Sequence, residues 1–245
     1  TPILKPADAC QSRLRKELST TGITKVVCLG KTAAKAIRGG DFSIMGIRGG
    51  CEEVPAPWDP KVTLQVAYTL HPSFVLRYPA YREVFHHDLR KAFRFFDGAL
   101  DWAEPKITIS SDLEIVRQTF ARFRRAGEPV AYDVETDAID PMTAQVRCLA
   151  FSNTEEALVI PIRSINGAPI VNGTRIGPLK QELSAQLTSR DLLVLGHNAG
   201  QYDRIVCEQW LGITPDLAAD TLILHLLADN ELPHNLGFVG SFYTD

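Results

Sequence analysis

Pro129-Val130-Ala131-Tyr132-Asp133-Val134-Glu135-Thr136 reads as an apolar strand that ends in two acids spaced i and i+2. Side chains alternate across a strand, so Asp133 and Glu135 project from the same face. Two carboxylates held together at a sheet edge repel unless cations neutralise them, and hard oxygens at this spacing are what magnesium or manganese accepts. A lone acid pair of this kind also suits a solvated strand end that runs into an acidic turn, here Asp137 and Asp140. A second stretch favours the first reading: Leu192-Leu193-Val194-Leu195-Gly196-His197-Asn198-Ala199-Gly200-Gln201-Tyr202-Asp203. A buried strand passes through a polar turn into an aromatic-Asp at the start of a helix, which aims Asp203 back over the sheet.

Around these stretches the second half of the chain reads as a helix over 112–125, a strand over 130–134 and strands near 146–152 and 157–162. A loop holding Asn166-Gly167 and Asn172-Gly173 follows, then a helix over 179–187, a strand over 192–195 and helices over 202–210 and 219–227. Three strands, helix, strand, helix is an α/β order with a mixed sheet. The first half alternates in the same way: helix 7–19, strand 25–29, helix 32–38 closed by Gly39-Gly40, strand 62–69, the loop His71-Pro72-Ser73 and a helix over 81–96. Gly98, Glu104-Pro105 and the strand-like Lys106-Ile107-Thr108-Ile109 mark a seam. The expected domains are therefore 1–103 and 104–245, both α/β.

The net charge of −3 hides a division. Residues 1–100 carry 15 basic against 9 acidic side chains, leaving 11 against 20 for the remainder. A basic half suits contact with a phosphate backbone, and an acidic half suits a site that collects divalent cations. No run of eighteen apolar residues occurs, and the start lacks the basic and apolar regions of a signal peptide. Five scattered cysteines without a C-x-x-C pair argue against a disulfide framework and for a reducing compartment, read as the cytoplasm of a bacterial or phage-infected cell.

The acid pair and the Gly196 to Asp203 stretch resemble the ribonuclease-H-like exonuclease superfamily, specifically the proofreading domain of family A DNA polymerases. The match is to Asp133, Glu135, Asn198 and Asp203, with Asn198 and Asp203 five residues apart where the common form has four. The resemblance implies hydrolysis of the terminal phosphodiester of a single-stranded DNA 3′ end with two magnesium or manganese ions. Asp133 would be the ligand both ions share, Glu135 would hold the first ion and orient the water, and Asp203 would serve the second. Thr136, Asn198 and Tyr202 would touch the strand being cut. The family's third motif, a Tyr or His followed by a last Asp, is not found before Asp245, so the expectation is a site one ligand short. Asp220 reads as a structural or capping residue.

Residues 1–96 resemble the C-terminal part of a uracil-DNA glycosylase of the iron-sulfur-containing family 4 type. The carrying residues are Cys10, Val26-Val27-Cys28-Leu29-Gly30, Arg48-Gly49 and Leu70-His71-Pro72-Ser73-Phe74-Val75-Leu76-Arg77. The resemblance implies that His71 faces a flipped base and that the residues up to Arg77 contact DNA. The family's water-activating motif lies upstream of Thr1, so uracil excision is not expected. Cys10 and Cys28 are an incomplete cluster set and read as buried structural thiols, without an iron-sulfur cluster in this segment. A glycosylase-like module ahead of an exonuclease module resembles phage-type family A DNA polymerases, with a polymerase domain expected downstream. The alternative is an inactive DNA-binding and scaffold module.

Overall fold

The structure, a computed structural model, describes residues 6–100 and 104–244. In chain order it begins with α1 (Pro6–Thr21), β1 (Lys25–Leu29), α2 (Lys31–Arg38), α3 (Ile44–Ile47), β2 (Cys51–Ala56), β3 (Asp59–Thr69), α4 (Pro72–Arg77) and α5 (Arg82–Phe96). It continues with β4 (Lys106–Ile109), α6 (Leu113–Ala126), β5 (Val130–Thr136), β6 (Val146–Ser152), β7 (Glu156–Pro161), α7 (Ile176–Leu187) and β8 (Val194–Gly196). The last elements are α8 (Tyr202–Leu211), β9 (Leu217–Asp220), α9 (Thr221–Ala228) and α10 (Leu236–Tyr243). No helix among the described residues is long and apolar enough to cross a membrane.

Two compact units result, residues 1–102 with 229–245, and residues 103–228. The domain division read from sequence placed 229–245 with the second half; their contacts place them with the first. Leu232 and Phe238 are buried with Leu70 and Val84, beside Phe74, Tyr81 and Phe242, and this apolar cluster holds α10. Asp245 lies outside the described residues.

In the first unit β3 is the central strand, parallel to β1 (Lys25 opposite Gln65, Leu29 opposite Thr69) and antiparallel to β2. Cys28, Leu64, Val66 and Tyr68 pack with Ala34 and Ile37 of α2. Cys28 is the buried thiol expected, and burial pushes its pKa up to about 12. Cys10 is a correction: it is exposed, on a helix surface rather than in the core. His71-Pro72-Ser73, expected as a loop, opens α4. His71 is its N-cap, with Nδ1 accepting from Ser73 N–H at 3.1 Å, and Pro72 stands in the first turn, where its missing N–H costs nothing. β2 was not anticipated, because Pro55 and two glutamates disguise an edge strand.

A buried ion pair organises the polar interior of this unit. Arg48 follows α3, and its Nε donates to both oxygens of Asp88 on α5 (3.1 and 2.9 Å), with a further close contact from the guanidinium terminus. Asp88 also accepts from Thr69 Oγ1 at 2.8 Å, and Arg48 donates to Ser241 Oγ of α10 at 2.8 Å. Both charged side chains are fully buried. Removing one partner of such a pair leaves an uncompensated buried charge, which costs about 3–5 kcal/mol. Asp88→Ala should therefore lower the urea unfolding midpoint of the first unit by that equivalent, whereas substitution of the exposed Asp97 should leave it unchanged.

The second unit is built on a six-stranded mixed sheet in the order β4-β7-β6-β5-β8-β9. β6 is antiparallel to both β5 and β7, while β4, β8 and β9 are parallel to their neighbours. The α/β class with a mixed sheet is as expected. α6 forms because Asp112 caps it, accepting from Glu114 and Ile115 N–H, and Gly127 ends it at φ 68°. Its Val116, Phe120 and Phe123 recur at helical spacing and pack with Leu179, Leu183 and Leu187 of α7 and Val206 and Cys207 of α8. The sheet contributes Val130, Tyr132 and Val134, then Val146, Leu149 and Phe151, then Leu158 and Ile160. The other face of β5 carries Ala131, Asp133 and Glu135, all exposed. The helix read over 219–227 is shorter, since β9 occupies its first residues.

Candidate functional site

Alternation along β5 sets the site: Val130, Tyr132 and Val134 point into the core, so Asp133 and Glu135 must point away from it. Asp203 arrives from a different direction. It stands in the first turn of α8, at 8% exposure, and its Oδ1 accepts from the Val134 N–H at 3.1 Å. That N–H is free because β8 pairs with β5 only at Val130 and Ala131. Val130 N–H donates toward β8, to Leu193 O at 2.8 Å, and the N–H two and four residues on face the same side. Beyond the end of β8 the Val134 donor has no strand partner, and Asp203 supplies the acceptor.

The turn between β8 and α8 is held from outside. Gly196 and Ala199 approach so closely that a Cβ on Gly196 would lie 2.3 Å from the Ala199 Cβ. Asn198 sits at φ 58°, the only non-glycine with positive φ among the described residues. Asp220, at the end of β9, accepts from Asn198 N–H (2.9 Å), Gly200 N–H (3.3 Å) and Leu222 N–H (3.0 Å). Burial raises its pKa, but these backbone donors outweigh that and hold it below the ordinary carboxylate value. Thr221 Oγ1 bonds Gly196 O (3.2 Å) and His197 Nδ1 (2.9 Å). Asp220 thus caps α9 and pins the turn, the structural role read from sequence.

Thr136 and Tyr202 meet at one point. The Thr136 hydroxyl donates to Ala138 O at 3.0 Å, and the Tyr202 hydroxyl bonds the same carbonyl and lies against Thr136 Oγ1. They tie the exit of β5 to the entry of α8. Asn198 is exposed on the turn that leads to Tyr202. His71 and Arg77 are both exposed and belong to the first unit, at the two ends of α4. The sequence reading missed the Val134 donor and a β-bulge opposite Glu135, where β6 carries Arg147 as an extra residue between Val146 and Cys148. Neither leaves a mark in local sequence, because both depend on which strands pair and where pairing stops.

Charge at this site is unbalanced. Burial, then the neighbouring Asp133, push the pKa of Asp203 from the ordinary 3.8 up to about 6. Hard carboxylate oxygens on one sheet face, with a third acid strained by its own charge, are a donor set that a divalent cation would relieve. Among the described residues, however, no three His, Cys, Asp or Glu side chains stand together in metal-holding geometry. Asp133 and Glu135 share a face, while Asp203 is turned to the backbone of the intervening residue.

No protein-family profile and no curated protein sequence matches the chain. Among solved structures, the catalytic core of RRP6 from Trypanosoma brucei aligns at 13% identity over 59% of this chain and 36% of its own, with a TM-score of 0.44. RNase D of Escherichia coli, described as an exoribonuclease involved in structured RNA processing, aligns at 19% identity over 54% of this chain and 31% of its own, with a TM-score of 0.40. NrnC of Brucella melitensis with bound Mg2+ aligns at 19% identity over 56% of this chain and 60% of its own, with a TM-score of 0.40. The chain spans less than two thirds of the length of each.

The raised pKa of Asp203 has a definite sign. The folded state holds this proton more tightly than the unfolded chain, so the favourable contribution exists while Asp203 is protonated and is lost as pH rises from 3.8 to about 6. Asp203→Asn keeps an acceptor for Val134 N–H and removes the charge. In metal-free buffer the variant should be more stable than the parent above about pH 6, with the difference shrinking toward 3.8. Paired urea titrations across that interval measure it.

Proposed function

We propose that the second unit is a metal-dependent 3′→5′ exonuclease, and that Asp133, Glu135 and Asp203 carry its chemistry. The observation that carries this reading is the pairing of Asp133 and Glu135 on the outward face of β5 with Asp203 drawn to the same strand by Val134 N–H. When bound, a pair of divalent ions supplies Lewis acidity to a phosphodiester and to the water that attacks it. Asp133 and Glu135 would hold those ions, with Asp203 contributing once its carboxylate turns from the Val134 amide. Magnesium is the natural ion for such oxygen donors, and manganese an acceptable substitute. Thr136 and Tyr202, tied at Ala138, would give the terminal nucleotide a rigid wall, and Asn198 an exposed amide to meet it.

The wider assignment follows the same proposal. The substrate is the 3′ end of single-stranded DNA, and the unit is the editing region of a phage-type family A polymerase acting in the cytoplasm of a bacterial or infected cell. The first unit is a glycosylase-like module that grips DNA through the α4 region, including His71 and Arg77, without excising uracil. A second reading is favoured by one observation: the three carboxylates are not gathered in ligating geometry. On that reading the chain binds nucleic acid and serves as scaffold without cutting it.

Hydrolysis of 5′-labelled single-stranded DNA and RNA in magnesium separates the two readings. Stepwise shortening from the 3′ end, lost on the order of 10²–10⁴-fold in Asp133→Ala and in Glu135→Ala, is the expected result. Preference for RNA over DNA would move the substrate without moving the site. Binding with no magnesium-dependent shortening of either would leave the scaffold reading.

A further inference from the structure

The β-bulge opposite Glu135 places positive charge on the acidic face. Glu135 pairs with Cys148 and Thr136 with Val146, so Arg147 is the residue without a partner. Val146 and Leu149 both point into the core, which leaves Arg147 and Cys148 together on the outward side, the side of Asp133 and Glu135. A second arginine lies just past the end of the next strand. Leu158, Ile160 and Ile162 are inward, so Arg163 follows on the outward side just beyond Pro161, which is opposite Cys148. The two arginines are neighbours in space as well: Arg163 N–H donates to Arg147 O at 3.0 Å.

Among the described residues neither guanidinium has an acidic partner. Arg147 donates to the carbonyls of Ser164 (3.1 Å) and Ile165 (2.9 Å), and Arg163 donates to Gly167 O (3.1 Å). These neutral acceptors orient the side chains and leave their charge and most of their donors unspent. Some arginines of the unit are paired with acids, as in Arg117 with Glu182, Arg122 with Glu156 and Arg204 with Glu208, but these two are not. Two carbonyl-anchored arginines without an acidic partner, on the sheet face that carries the carboxylate pair, are available to an anion. The carboxylate face alone would repel a nucleic-acid strand.

We propose that Arg147 and Arg163 are the phosphate-binding pair of this site, gripping the backbone of a single strand next to the phosphodiester that Asp133 and Glu135 address. The identity of the ligand rests on the exonuclease reading; the geometry of the pair does not. Guanidinium donors match phosphate oxygens in pairs, and backbone contacts of this kind are indifferent to base sequence. The bulge is then a device for bringing cation and carboxylate to one face, where strict alternation would have sent Arg147 to the opposite side.

The test is fluorescence anisotropy with a 5′-fluorescein single-stranded oligonucleotide whose 3′ end carries phosphorothioate linkages, measured over a range of salt in magnesium. Arg147→Gln and Arg163→Gln should each weaken binding about tenfold. Each should also flatten the slope of log K against log salt by about 0.7, the value of one phosphate contact on a single strand. Arg147→Lys and Arg163→Lys should restore most of the slope, which a purely structural anchor of the 163–167 loop would not require. If Arg147→Gln fails to fold, Arg163→Gln and the lysine variants carry the test. An unchanged slope in folded glutamine variants overturns the proposal, as does a weakened response to magnesium with oligonucleotide binding intact. Arginine-dependent binding without hydrolysis of an ordinary 3′ end removes the exonuclease reading and leaves the phosphate site standing.

Discussion

The hydrogen bond from Val134 N–H to Asp203 joins the two parts of the candidate site, and its existence depends on the shortness of β8. A longer β8 would continue its ladder along β5 and consume the amide that Asp203 now satisfies. Because it stops, a buried backbone donor needs an acceptor, and the first turn of α8 provides one. The same placement makes Asp203 costly as an anion, since it is withdrawn from water and brought near Asp133, and the Val134 N–H offsets only part of that cost. Structural need and electrostatic strain are thus located in a single side chain.

What keeps α8 in place is the turn before it. Gly196 allows the chain to fold onto Ala199, Asn198 takes a left-handed conformation, and the Asp220 carboxylate gathers the amides that this conformation leaves without partners. Thr221 adds a bond to the carbonyl at the start of the turn. β9 and the N-terminus of α9 therefore act as a clamp on the loop that delivers Asp203, and the site is supported by rigid elements on both sides.

The first unit solves a different problem. Its three-stranded sheet is small, and part of its interior is filled by the Arg48 and Asp88 pair with Thr69 and Ser241 rather than by apolar side chains. The pair is satisfied by hydrogen bonds on several sides, a condition for charges to be tolerated without water. Arg48 also lies over the Phe238 ring at 5.3 Å, so α10 is held by both polar and apolar contacts. A segment far along the chain thereby completes the core of its beginning.

Much of the layout of the candidate site is legible in the sequence because strand alternation is local. Asp133 and Glu135 share a face whatever surrounds them, and the run from Val194 through Gly196 to Asp203 encodes strand, turn and helix by apolar, glycine and polar residues in order. The α/β class and the mixed sheet follow from the same local signals. Strand pairing does not, since register and strand ends are set between segments distant in sequence. Only the tertiary structure decided that Val134 would be left to Asp203, that a bulge would put Arg147 on the face of the carboxylates, and that 229–244 would pack with the first unit. Each depends on a backbone group or an apolar face finding a partner far along the chain, and that choice is made by the packing of the whole unit rather than by neighbouring residues.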